Sequence, residues 1–206
     1  MPVPNAWGLK YEEVVGLSWL AYSGQGIVGR WRFPNVGSVW NLTTVYQVLN
    51  FRAVLIEGEK KILSYSGTDS GPSPDWLDNI QQGLTGMSAQ YIAALALGAA
   101  VRPDIVVGHS LGGGLASYVG IYQGRNVAAV NPAPLNINGI SGIPMLVNNG
   151  RGVNYVAPGE ALDLLDIVAP NMRRIGTIHY VGSNGADAVA KHLLNNLTGF
   201  VAPVKI

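Results

Sequence analysis

The sequence predicts an α/β fold, with a mainly parallel sheet and helices on both faces, built as one domain over residues 1–206. Three observations predict it. Short apolar runs alternate with longer segments at helical spacing, the pattern of strands joined by crossover helices. The β-branched run Ile105-Val106-Val107 passes at once into Gly108-His109-Ser110-Leu111-Gly112, a strand-to-helix turn crowded with glycine. A chain of 206 residues is also long enough for one substantial core and short for two.

Taken in order, residues 11–23 carry Val14, Val15, Leu17, Trp19 and Leu20 at mostly helical spacing and open the fold with a helix. Residues 24–41 are rich in glycine and aromatics and show no clear period. Residues 46–56 alternate as one strand, turn at Glu57-Gly58-Glu59 and pair with residues 61–65 as a hairpin that runs into Ser66-Gly67-Thr68-Asp69. Gly71, Pro72 and Pro74 then break the chain, Asp75 is the N-cap of a new helix, and residues 87–100 form an alanine-rich helix. After Pro103 come the strand at 105–107 and a helix from Leu111 to Tyr122, whose Gly112, Gly113, Gly114, Ala116 and Ser117 imply close packing. Further strands are read at 126–130, 152–156 and 175–181, and a last helix at 189–197. Asp163 and Asp166, three apart among Leu162, Leu164, Leu165, Ile167 and Val168, read as the solvated face of an amphipathic helix.

Composition narrows the chemistry. Charged residues make up 12% of the chain, against a usual quarter or so, while 48% are hydrophobic. That balance fits a protein that meets apolar material, and a well-filled core gives the same count. The 13 basic and 12 acidic side chains nearly cancel without clustering, so no nucleic-acid groove is expected. With 0 cysteines there are no disulfides, thiolate metal sites or cysteine nucleophiles, and 3 histidines without close spacing argue against zinc. The N-terminus lacks a basic region followed by an apolar block, so no Sec-type signal is visible. The longest apolar stretch, residues 91–101, is shorter than the roughly 20 residues that span a bilayer. The expected location is the cytoplasm, or outside the cell by a non-Sec route.

Gly108-His109-Ser110-Leu111-Gly112 is a G-x-S-x-G in the strand-turn-helix context that gives the motif meaning. A serine hydroxyl becomes a nucleophile when it is held at a sharp turn, within reach of a base and beside N–H groups that can receive an oxyanion. The turn leaves no room for Cβ atoms at Gly108 and Gly112. The bland reading of the same residues is a glycine-rich turn with an incidental serine, or a phosphate-binding loop. With Ser110 as nucleophile, the expected chain order is serine, acid, histidine. His109 occupies the variable elbow position and is expected to point elsewhere. His179 lies inside an apparent strand and reads as structural, whereas His192 follows the loop Gly182-Ser183-Asn184-Gly185 and opens the last helix. His192 is therefore the candidate base. Glu160, in the turn that follows the strand at 152–156, is the leading acid, with Asp163 and Asp166 as alternatives. The backbone N–H of Leu111 and the segment at Thr68, after an earlier strand, are the candidate oxyanion donors.

At this point the residues resemble a family. SYSGTDSGPSPDWLDN, from Ser64 to Asn79, resembles the oxyanion segment of the class 3, fungal-type lipases; GHSLGGGLAS resembles their nucleophile elbow, and NPAPL at 131–135 their short turn after the next strand. The similarity covers roughly residues 45–200. It implies an α/β-hydrolase fold and carboxylic-ester hydrolysis through an acyl-enzyme without a cofactor, with Ser110 as nucleophile, His192 as base and Thr68 in the oxyanion hole. It also brings a rival acid: Asp166-Ile167-Val168-Ala169-Pro170 is similar to the family's Asp-Ile-Val-Pro segment. The function expected is that of a lipase, phospholipase or esterase acting on a lipid or other acyl ester, with transient contact at a membrane or lipid interface. Trp31, Phe33 and Trp40, taken as exposed, support the lipid preference. The alternatives are an acyltransferase or thioesterase using the same residues, or a non-enzymatic binding module on a hydrolase fold. Residues 69–74 are the candidate lid.

Overall fold

A computed structural model of the chain describes residues 3–22, 24–68, 89–136, 151–163 and 171–206. The first half holds helix α1 (Tyr11–Leu20), strands β1 (Gly29–Arg32), β2 (Val39–Val48), β3 (Phe51–Glu57) and β4 (Lys61–Tyr65), and helix α2 (Ala89–Val101). The second half holds β5 (Ile105–His109), α3 (Leu111–Gln123), β6 (Asn126–Val130), β7 (Leu135–Asn136) and β8 (Gly152–Val156). It ends with β9 (Met172–Arg173), β10 (Thr177–Tyr180), the short helix α4 (Ala188–His192), a 3₁₀ turn (Leu194–Asn196) and β11 (Val204–Lys205).

Among the described residues the main sheet has 9 strands in the order β10-β8-β6-β5-β4-β3-β2-β1-β11, and β7 pairs with β9 separately. The sheet has two halves of different character. β10, β8, β6, β5 and β4 run parallel, while β4, β3, β2, β1 and β11 are joined antiparallel. The parallel half follows from crossover connections that return the chain to start each strand from the same end, helix α2 before β5 and helix α3 before β6 among the described residues. Both faces are covered, so β5 is buried at every position and reads as a continuous apolar run. Ile105 and Val107 of β5 pack with Val14, Leu17 and Leu20 of α1 on one face. Val106 packs with Leu115 and Val119 of α3 and Tyr91 and Ala94 of α2 on the other. Each large aliphatic side chain so buried contributes about 1.5–3 kcal/mol relative to an exposed one.

Three readings of the sequence need correction. The strand expected over residues 46–56 is two strands: β2 and β3 fold back on each other at Leu49-Asn50, with Val48 paired to Phe51. Leu49 takes φ 52, a turn conformation that favours glycine, so no turn residue marked the break. The aperiodic segment 24–41 contains β1 and the start of β2, and its aromatics are not exposed. Trp31, Phe33 and Trp40 lie in the core, because in β1 the single inward residue is Trp31 and its cross-strand partner is Trp40. They lend no support to a lipid-facing surface. Finally, the helix expected over 189–197 ends at His192 and is followed by the 3₁₀ turn, since Leu193 is extended with ψ 135.

Candidate active site

Ser110 stands between the end of β5 and the first residue of α3, with φ 58 and ψ -130, a conformation that costs a non-glycine residue about 1–3 kcal/mol. The surroundings enforce it. A Cβ on Gly108 would collide with the backbone of Gly112 and Gly113, and one on Gly112 with the carbonyl of Tyr65 and the backbone of Ser66. The Ser110 carbonyl accepts from the N–H of Gly114 at 3.1 Å and of Ala133 at 2.8 Å, while its own N–H donates to the Val130 carbonyl at 3.2 Å. The turn is thus clamped from the next strand and from the segment beyond it.

His192 ends α4, whose N-cap Asp187 accepts from the Ala190 N–H at 2.8 Å. Its imidazole is buried and its Nδ1 donates to Oε2 of Glu160 at 2.5 Å. Glu160 lies in the tight turn after β8, where its N–H donates to the Ala157 carbonyl at 3.1 Å and Gly159 takes φ 71. Its carboxylate is fully buried, yet it is saturated: Oε2 also accepts from the Leu162 N–H at 2.9 Å, and Oε1 pairs with Arg174. A buried carboxylate without such partners would be far more costly. Of the three acids considered, the structure brings Glu160 to His192. Asp163, partly exposed, accepts from the Gly159 N–H at 2.7 Å and pairs with Arg174 at 2.6 Å; the rest of the helix read around it, residues 164–168, lies outside the described residues. Asp166, Asp75 and the candidate lid at 69–74 lie outside the described residues.

His109 was expected to point away from the site and does not. Its ring lies tilted against that of His192, 4.7 Å centroid to centroid. Nε2 donates to the His192 carbonyl at 2.8 Å, which leaves Nδ1 to accept the Tyr22 hydroxyl at 2.5 Å. Burial, with His192 beside it, pushes the His109 imidazole well below its usual range and keeps it neutral. The variable elbow position is therefore used here to hold the segment that carries His192. Asn131 holds the same segment from another side. Its Nδ2 donates to the His192 carbonyl at 2.9 Å and its Oδ1 accepts from the Ala157 N–H at 2.9 Å, at a φ of 40 that asparagine tolerates.

Gly67 abuts the elbow: a Cβ placed on it would lie 3.1 Å from Ser110 Cβ. Thr68 is the next residue, half-buried, beyond the carboxyl end of β4. Leu111 opens α3, where the first N–H groups have no partner inside the helix. His179, as expected for a residue inside a strand, sits on β10 with its ring 6.2 Å from that of Tyr155, away from this cluster. Among the described residues no group of three or more histidine, aspartate or glutamate side chains could hold a metal ion, and no helix is long and apolar enough to cross a membrane. Sequence reasoning missed Arg174, Tyr22 and the role of Asn131. The Asn-Pro pair after a buried strand was the one available signal.

The comparisons with known proteins agree with this architecture. The structure is similar to that of a fungal lipase, at TM-score 0.55 with 12% identity over 94% of this chain and 85% of that one. It is similar to the Rhizomucor miehei lipase propeptide complex, at TM-score 0.55 with 11% identity over 92% and 75%, and to a mutant form of MDLA from Penicillium cyclopium, at 0.52 with 10% identity over 91% and 83%. The fold is the α/β-hydrolase fold of these lipases. No curated protein matches the sequence. Residues 40–201 match the family described as phospholipase-like, Tle-like phospholipase domain, and with most of its length covered the chain belongs to that family.

Proposed function

We propose that the protein is a serine hydrolase of lipid carboxylic esters, phospholipids foremost, working through an acyl-enzyme. The observation that carries the reading is the buried Glu160–His192 pair, braced through His109 and Asn131 against the strained turn of Ser110. Ser110 Oγ attacks the acyl carbonyl and its proton passes to Nε2 of His192. The imidazolium is stabilised because Nδ1 keeps its bond to Glu160. The tetrahedral oxyanion takes the N–H of Leu111 and the N–H and hydroxyl of Thr68. Collapse expels the alcohol, which leaves with the proton from His192, and water repeats the sequence on the acyl-enzyme. Membership of a phospholipase-like family supports a phospholipid as the ester.

The test is hydrolysis of a phospholipid and of p-nitrophenyl esters from short to long chain, by wild type and Ser110→Ala in parallel. A loss of about 10³-fold or more in the variant is expected; full activity in Ser110→Ala would overturn the reading. Adding an alcohol and analysing products separates water from another acyl acceptor.

A further inference from the structure

Glutamate poses a problem as the acid of such a site. It has one more rotatable bond than aspartate, and its terminal torsion is broad, so a carboxylate on it needs an outside hold to keep one oxygen on Nδ1. Arg174, immediately after β9, has a side chain only 2% exposed and supplies that hold. Nη2 pairs with Glu160 Oε1, Nη1 with Asp163 Oδ1 at 2.6 Å, and Nε donates to the Pro132 carbonyl at 3.0 Å. The planar fork thus reaches the acid loop with two nitrogens and the turn after β6 with the third. Pro132 lies between Asn131, which holds the His192 carbonyl, and Ala133, whose N–H holds the Ser110 carbonyl. One guanidinium therefore braces the acid against the segment to which base and nucleophile are also tied.

The geometry points to Arg174 as a positioning residue for the reaction proposed above: it fixes the Glu160 carboxylate toward His192 and offsets part of the negative charge that the imidazole feels. This rests on the reading of Ser110, His192 and Glu160 as one reacting unit. Glu160 stabilises the imidazolium, and the guanidinium on its far oxygen opposes that stabilisation. Among the described residues, the other titratable and charged groups around the pair are Asp163 on the guanidinium, His109 from β5 with Tyr22 behind it, and Lys191 and Asp187 on and before α4. His109 is held neutral by burial and adds no charge.

The experiment is the rate of covalent labelling of Ser110 by an active-site fluorophosphonate as a function of pH, with ester hydrolysis alongside. In Arg174→Met the acidic limb moves to higher pH by about one unit, since the Glu160 carboxylate without its cation holds the imidazolium more strongly and a neighbouring charge is worth about that much, and the plateau falls about tenfold or more. In Arg174→Lys the charge remains and the fork is lost, so the plateau falls while the limb stays. Asp163→Asn leaves the guanidinium less compensated and moves the limb the other way, toward lower pH; this variant carries the test if Arg174→Met does not fold. A limb unmoved in the folded variants, or an Arg174→Lys plateau equal to wild type, overturns the role of Arg174. A wild type that takes no label, or a Ser110→Ala that still hydrolyses ester, overturns instead the reading on which it rests.

Discussion

Glu13 and Glu160 are both buried carboxylates, one serving each half of the sheet, and their partners differ in kind. Glu13 sits in the first turn of α1, accepts the Lys10 N–H at 2.9 Å as half of a capping arrangement, and accepts the indole N–H of Trp40 on β2 at 3.1 Å. Both donors are neutral and neither changes protonation at ordinary pH. Glu160 accepts instead from an imidazole and a guanidinium. Burial alone therefore does not mark a reacting carboxylate. A buried acid whose donors are fixed fastens a helix to a sheet; one whose donor can gain and lose a proton can support chemistry.

The comparison breaks most visibly by mutating both. Glu160→Gln should lower kcat/KM by about 10³–10⁴-fold, because the imidazolium loses its charge partner. Glu13→Ala should leave kcat/KM within about twofold and cost about 2 kcal/mol of stability, through the lost cap and the orphaned Trp40 N–H. Steady-state kinetics and thermal unfolding on the two variants check this. If Glu13→Ala lowered activity as far as Glu160→Gln, the division between fastening and reacting carboxylates would fail.

A second comparison sets His109 against His192. The two rings lie tilted together at 4.7 Å, and the base role proposed for His192 is closed to His109, which uses both nitrogens internally as a neutral ring. Its neutrality has a stability consequence. Burial holds its folded-state value below the ordinary 6.5, so the unfolded chain takes up the proton first as pH falls. The contribution of His109 to stability is full above about 6.5 and is lost as pH falls below that value toward the folded-state value. Unfolding midpoints measured between pH 7 and pH 5 (about two units of the linkage window) should fall less steeply in His109→Gln than in wild type. Equal slopes would mean that the ring is not held neutral.

The legible and illegible parts of the molecule divide along the same line as its two halves. In the parallel half the strands are short apolar runs, with helices α2 and α3 on either side of β5, and the glycines of the elbow are demanded by backbone collisions, so both the fold and the sharp turn at Ser110 could be read from residue types. Glu160 and His192 followed from chain order and from the ends of strands. Arg174 could not be read, because an arginine sealed beside two acids looks in sequence like any surface cation until the turn after β8 and the residue after β9 are brought together. His109 was misread because the elbow motif leaves its position unspecified. In the antiparallel half the strands pair through aromatics and through a turn without glycine, which is why β1 and the β2–β3 hairpin were not visible.

That turn supplies the smallest effect and the last comparison. Ser110 and Leu49 are both non-glycine residues at positive φ, 58 and 52, one in each half. At Ser110 the strain lies in the sharp turn between β5 and α3, where it presents the nucleophile of the proposed reaction. At Leu49 the side chain is 92% exposed and packs on nothing that offsets the cost. Leu49→Gly should therefore stabilise the protein by about 0.5–1 kcal/mol, or roughly 2 °C in Tm, by removing a Cβ from a left-handed turn. Activity should not change. Since β3 runs antiparallel to β4, with Ala53 opposite Tyr65, this turn lies at the end of the sheet where Ser110 also sits. A variant that gains stability but loses activity on phospholipid vesicles, while keeping it on a soluble short-chain ester, would mean that the strain at Leu49 is retained for contact with the lipid surface rather than left over from folding.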